Sequence, residues 1–312
     1  MKKHIMKNPL STAVKLSSFL CLITIFVACK SIKLEKVYTH HLKQAPPAGV
    51  KIKNNFYCDY QEIKNLDWME YMYWVNRVYG KNSDQYLSVL PDTNVWSNED
   101  QCIESLDTFY LRHPAYRDSP VVGISQKQAI EYSKWRSERV LEQILVSNGV
   151  IAADSSYKFT MERFYNGDVE LLDPTIDKSK IYYPEFRLPT FNERQIILQF
   201  ADSTQQAYYG NCNRKKCKTC ISYLNTVRCG IDPCVFYPEE RLKEPSYDCY
   251  KDLIIHYLRG NANEWSAHEH IAFGGGWNTP KALALQQDTF HITKPDASTG
   301  FRNVCEWKKW EY

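Results

Sequence analysis

The chain has 312 residues, with 39 Lys and Arg against 36 Asp and Glu and a formal net charge of +3. This balance lacks the clustered basic excess of a nucleic-acid binder, so no nucleic acid is expected as a partner. Aromatic residues make up 14% of the chain, including 22 Tyr and 8 Trp, enough for a substantial core in one large domain or two.

Lys2, Lys3 and Lys7 form a basic front, and an apolar stretch runs from Ala13 to Ala28. Basic front, short apolar run and small residue predict a signal peptide over residues 1–28. The stretch is shorter than the roughly 20 apolar residues of a membrane-spanning helix. Phe26-Val27-Ala28-Cys29 is similar to a bacterial lipobox, which makes Cys29 the lipidated first residue of the mature chain. Residues 29–47, with Lys, His and Pro46-Pro47, suit a solvated tether. Ser31 and the lack of an Asp after Cys29 fit an outer-membrane lipoprotein facing the periplasm, held by lipid through Cys29.

Asn65 is placed to cap a helix running to about Val78. Along it Trp68, Tyr71, Met72, Val75 and Tyr79 recur with the period of one buried face. Residues 80–119, rich in Asp, Asn, Ser and Pro, read as a long surface excursion. Ser125 with Gln128 makes a capping box that starts a helix through Trp135 to about Val146. Residues 150–183 alternate weakly between turn signals and suggest a hairpin. Thr190 with Glu193 is a second capping box, opening a helix through Ile196, Ile197 and Phe200. Helices amid short strands and long loops predict an irregular α+β domain over residues 48–312.

The chain has 11 Cys. Setting aside Cys21 in the signal and Cys29 leaves an odd number, so at least one thiol is free or intermolecular; Cys305, in a packed-looking neighbourhood, is the candidate. Cys212, Cys217, Cys220, Cys229, Cys234 and Cys249 crowd one segment, which reads as a Cys-rich insertion at about 211–249. In an exported chain such density reads as disulfides. The pairs Cys217-x2-Cys220 and Cys229-x4-Cys234 also resemble zinc-ligand pairs, although the second spacing is loose for zinc. Sequence does not choose among the many pairings six cysteines allow.

The C-terminal region carries Gly260-Asn261-Ala262-Asn263-Glu264-Trp265, then Phe273-Gly274-Gly275-Gly276-Trp277, then Thr299-Gly300-Phe301-Arg302. These resemble the G-N-x-x-E-W, R-G-G-S-W and G-F-R signatures of the formylglycine-generating, or sulfatase-modifying factor, enzymes. Earlier pieces match in order: Glu62-Ile63-Lys64-Asn65; Pro120 to Ser125 with Ala129, Tyr132 and Trp135; and Arg187-Leu188-Pro189-Thr190 with Glu193. Together they span roughly residues 50–307. The resemblance implies a loop-rich variant of the C-type lectin fold. It also implies a candidate structural calcium at Glu264 with the carbonyls of Gly260 and Ala262. Trp265, Trp277 and Trp307 are expected in the core, and Arg302 as a buried fork tying loops through carboxylate or carbonyl partners.

The family's enzymes hold copper with two thiols between the last two signatures, because soft thiolates suit Cu(I). Here Asn278 to Gly300 contains no Cys, Phe273 and Gly276 replace the Arg and Ser of R-G-G-S-W, and Asn303 stands where a Cys follows G-F-R. Copper and a catalytic role are therefore not expected. Some relatives are non-haem iron enzymes with three histidine ligands; His268-x-His270 beside Glu269 is the best local candidate, with His113, His256 and His291 also available. The pattern is most like the non-catalytic gliding-motility and type IX secretion lipoproteins of Bacteroidota. The expected function is a lipid-anchored scaffold that binds protein partners of an envelope complex. The alternative is a metal-dependent modifying enzyme using iron or copper.

Overall fold

The computed structural model describes residues 38–39, 42, 44–97, 106–154, 158–210 and 255–311. Cys29, Cys102 and the whole Cys-rich segment, with its six cysteines, lie outside the described residues.

Strands β1 (Gly49–Lys53) and β2 (Phe56–Asp59) form an antiparallel hairpin. It turns at Asn54-Asn55, where Asn55 takes φ of 56°, a region Asn tolerates. Helix α1 (Asn65–Tyr79) follows. Its cap is not Asn65: Asp67 Oδ2 accepts from the Lys64 N–H at 3.1 Å. Asn65 is buried as the first helical residue, and its Nδ2 donates to the carbonyls of Tyr110 and Tyr116 at 3.0 and 2.9 Å. Two buried loop carbonyls claim this side chain, which leaves the cap to Asp67. The buried stripe runs Trp68, Tyr71, Met72, Val75 and stops there; Tyr79 is exposed and lies edge-on to Trp74.

The described residues of the 80–119 segment are largely exposed, as a surface excursion would be, but they are anchored into the core. They carry α2 (Asp84–Ser88), α3 (Leu106–Phe109) and two 3-10 turns. Val95, Trp96, Leu106 and Tyr110 pack with Trp277 and Ala297 from the far end of the chain. Polar composition masks this because the apolar residues are few and their partners are distant in sequence.

Helix α4 (Gln126–Ser147) opens with the expected capping box: Ser125 N–H donates to Gln128 Oε1 at 2.7 Å, and Gln128 N–H to Ser125 Oγ at 3.2 Å. Between α4 and the next long helix the described residues form α5 (Met161–Asn166), a 3-10 turn and one strand, β3 (Tyr182–Arg187), rather than a hairpin. The apolar residues here, Phe159, Phe164, Tyr165 and Ile181, pack instead on Leu141 and Leu145 of α4. Helix α6 (Phe191–Gly210) starts at the second capping box, with Thr190 N–H donating to Glu193 Oε2 at 2.9 Å. The chain ends with β4 (Asn263–Trp265), β5 (Ile271–Phe273), α7 (Lys281–Gln286), β6 (Thr289–His291), β7 (Thr299–Gly300) and β8 (Val304–Lys309).

Two four-stranded sheets result among the described residues, in orders β1-β2-β8-β3 and β6-β5-β4-β7. The first is antiparallel throughout, and it draws the N-terminal hairpin and the C-terminus together through β2 and β8. In the second, β4 pairs antiparallel with β5 and parallel with β7. The architecture is α+β. Aromatic residues dominate the core between α1 and α4: Trp68 stacks on Tyr132 at 5.4 Å, and Phe301 meets Tyr132 edge-on at 5.3 Å. Burying each such side chain contributes about 2–3 kcal/mol. Three buried indole N–H groups find carbonyls: Trp68 donates to Val89, Trp265 to Ile124 and Trp277 to Ala297, at 2.9–3.0 Å. No helix among the described residues is long and apolar enough to cross a membrane.

Candidate functional site

Glu264 lies on β4, between Phe273 of β5 and Gly300 of β7, at the centre of the second sheet and fully buried. A lone carboxylate there would carry a desolvation cost of several kcal/mol. Two guanidiniums compensate it. Arg194, from the first turns of α6, donates from Nη1 to Glu264 Oε2 at 3.0 Å. Arg302, just after β7, donates from Nε to Glu264 Oε1 at 2.6 Å. Both arginines are 1% exposed.

Their remaining donors are also used. Arg194 forks onto Asp288 with two bonds of 2.9 Å and reaches the Leu258 carbonyl. Arg302 reaches the carbonyls of Asp59 at 3.1 Å and His256 at 2.6 Å. Glu62, before α1, lies 3.8 Å from Arg302 and accepts from Asn261 Nδ2 at 2.9 Å. Three carboxylates thus face two cations. Burial, against the pull of Arg302 and with repulsion from Glu264, pushes the Glu62 carboxyl up to about 7.

The glycine run seats Arg194. Gly274 has φ of 89°, and a Cβ there would stand 2.6 Å from the Leu258 carbonyl that Arg194 uses. Phe273, in place of the family signature's Arg, lies 5.5 Å below the Arg194 guanidinium. The second sheet, α6 and the N-terminal segment therefore meet on one ionic centre.

A family model, the sulfatase-modifying factor enzyme 1-like domain, matches residues 24–306. The chain belongs to that family. No curated protein and no solved structure matches the chain.

Against the family's cofactors the residues present can be tested directly. For calcium, Gly260 and Ala262 lie beside Glu264 in sequence, and Gly260 N–H donates to the Gly274 carbonyl at 2.9 Å. Both Glu264 oxygens, however, accept from guanidiniums. A divalent ion there would meet two buried positive charges, so this donor set does not fit a hard cation. For copper, the span from Asn278 to Gly300 has no thiol. Cys58 and Cys305 are free and buried on the adjacent strands β2 and β8. Burial pushes the Cys58 thiol up to about 12 and raises Cys305 as well, the reverse of what a thiolate ligand requires.

Asn303 shows what occupies the position after Gly-Phe-Arg. Its N–H donates to Asp59 Oδ2 at 3.0 Å, its Nδ2 to Ser133 Oγ at 2.7 Å, and its Oδ1 accepts from Arg136 at 3.2 Å. This residue joins β8 to α4. The histidines do not converge. His268 stacks on Phe191 at 4.0 Å and accepts its N–H; His270 is half exposed, with His291 5.9 Å away. His113 caps a 3-10 turn, and His256 has its pKa lowered to about 4 by burial and then by Arg302. Among the described residues no three His, Cys, Asp or Glu side chains gather as metal ligands.

Trp265, Trp277 and Trp307 are all buried. Sequence reading named Glu264 and Arg302 but missed Arg194 and Asp288. A signal for Arg194 existed: it shares the buried face of α6 with Ile197, Leu198 and Ala201, at i, i+3, i+4 and i+7. A charge on such a face must find a partner.

Proposed function

We propose that this protein is a lipid-anchored, non-catalytic scaffold of a cell-envelope assembly. The observation that carries the reading is the chemistry at the family's thiol positions. None lies between Trp277 and Gly300, and Asn303 is committed to a structural hydrogen-bond hub. The ionic centre that remains braces loops; its charges face one another inside the protein. In this reading the domain is the lectin-like variant typical of the family. Cys29 carries the lipid at the outer membrane, facing the periplasm, and the assembly is of the gliding-motility or type IX secretion kind. Residues 211–249 and the exposed Leu87 and Phe109 of the 80–119 segment offer partner surface, since long excursions are usually functional.

The test pairs metal analysis with cross-linking. The purified chain is expected to hold no stoichiometric copper or iron and to leave a cysteine-containing peptide unoxidised. Cross-linking in membranes is expected to retrieve envelope proteins. Stoichiometric copper or iron, with thiol oxidation lost in His268→Ala, would instead establish the metal-dependent enzyme.

A further inference from the structure

Tyr38, the first described residue, is already seated on the body. Its hydroxyl accepts the Asp177 N–H at 2.9 Å, Lys180 Nζ stands 5.9 Å from its ring, and it packs against the cluster that holds Leu141, Leu145 and Tyr165. Further along, Leu42 packs against the cluster of Phe186 and Trp307, and Pro46 is buried. The Pro47 carbonyl accepts from Arg136 Nη2 at 2.8 Å. Residues 38–47 thus add nothing to the reach of a lipid held at Cys29; residues 30–37 alone supply it. The Cα path from Cys29 to Tyr38 spans about 30 Å at full extension and about 17 Å as a relaxed coil. A folded body of this length has a radius of gyration of about 18 Å, and so measures roughly 45 Å across. The tether is too short to bring the far side of the body to the lipid.

Helix α4 shows which side is near. It is 22 residues long, about 33 Å. Its last turns supply Leu141 and Leu145 to the cluster that seats Tyr38. Near its first turn Gln128 Nε2 donates to the Ser88 carbonyl at 2.9 Å, which sets Leu87 about 25 Å from Leu145 along the helix axis. The near end carries apolar surface. Leu172 is 61% exposed. A turn closed by the Ile176 N–H and the Asp173 carbonyl at 3.1 Å keeps Leu172 within about 15 Å of Asp177. Trp310 stacks on Tyr165 at 4.9 Å and, like Tyr183, is half-buried against the same cluster. Rings with one apolar side and one wet side suit the headgroup level of a bilayer. Asp168, Glu170 and Asp173 offset Lys178, Lys180 and Lys309 at this end, so its contact with lipid is made by apolar and aromatic side chains and not by attraction to anionic headgroups.

We propose that the short, seated tether lays this end of the body, with Leu172 and Trp310, against the bilayer surface. The first turn of α4 and Leu87 then face away from the lipid, toward the space in which protein partners are met. This orientation rests on lipid at Cys29, as read above.

The test uses the full chain in its native membranes, with photo-cross-linking benzoylphenylalanine in place of Leu172 or of Leu87, both exposed, so that folding is undisturbed. Phospholipid adducts are expected at 172 and none at 87. Extending the tether within residues 30–37 by about 20 Gly/Ser residues raises its reach to roughly 100 Å, more than the width of the body, and the two positions are then expected to label alike. Fatty-acid labelling of the wild type, lost in Cys29→Ser, is read in the same cells. Absence of that label overturns the lipid-anchor reading and this orientation with it. Fatty-acid label together with lipid adducts at 87, protein in place of lipid at 172, or no adduct at 172 overturns the orientation alone. A contrast that survives the longer tether shows that tether length does not set it, and overturns the proposal as well.

Discussion

Glu264 holds apart two guanidiniums that would otherwise face each other in a buried space. Removing its charge leaves both arginines short of a partner, and breaking a buried pair in this way costs about 3–5 kcal/mol. Glu264→Gln is therefore expected to lower the urea midpoint by that equivalent, or to prevent folding. A midpoint close to wild type would show the network to be dispensable. Glu62 supplies a second residue-scale prediction, with a definite sign. Its carboxyl titrates at about 7 in the folded protein against 4.5 ordinarily. Between those values the folded state binds more protons than the unfolded state, so stability falls as pH rises across the window. Glu62→Gln keeps an acceptor for Asn261 and removes the titration. Its melting temperature is expected to match wild type near pH 4.5 and to exceed it at pH 8; a constant difference across that range would contradict this. Glu264 and Arg302 were legible because they sit inside short signatures. Arg194, Asp288 and the pairing of Asp59 with Arg136 were not, because their meaning depends on groups far away in the chain.

Helix starts were the most legible elements, since a capping box closes within four residues and needs no tertiary information. Ser125 and Thr190 both begin helices as their sequences predict. Ser125→Ala is expected to cost about 1 kcal/mol, measured as a shift in chemical denaturation, with no change in the ionic centre. The α1 start was misread because Asn65 is a better cap by type than by position: its carboxamide is needed by the carbonyls of Tyr110 and Tyr116. Residues 80–119 and 150–183 were illegible for a related reason. Their few apolar residues follow no period and are buried by partners elsewhere. Loops of this kind depend on close backbone approach, and Gly274 is the clearest case. An added Cβ would clash with the Leu258 carbonyl at 2.6 Å, and φ of 89° is strained for any other residue. Gly274→Ala is expected to destabilise by at least about 1–3 kcal/mol, through the seat of Arg194.

At the scale of the whole molecule, the ionic centre joins three distant regions. Asp59 and Glu62 come from the N-terminal hairpin and its exit, Arg194 from α6, and Glu264 and Arg302 from the C-terminal signatures. Strand pairing repeats the closure, because β8 sits between β2 and β3. Ile255, the first described residue after α6, packs with Ile197, Leu198 and Ala201 of that helix. Among the described residues, the core on both sides of the Cys-rich segment is thus shared. Replacing residues 211–249 by a short Gly/Ser linker is therefore expected to preserve one cooperative unfolding transition. Cys58 and Cys305 report the core independently. Buried, with raised thiol pKa values, they are expected to react with a thiol reagent only as the protein unfolds. If the segment carries partner surface, the same variant loses its envelope cross-links while keeping that thiol protection. Loss of protection with the deletion would make the segment part of the fold. Retained cross-links with protection intact would move the partner surface elsewhere, with the exposed Leu87 and Phe109 next to be substituted.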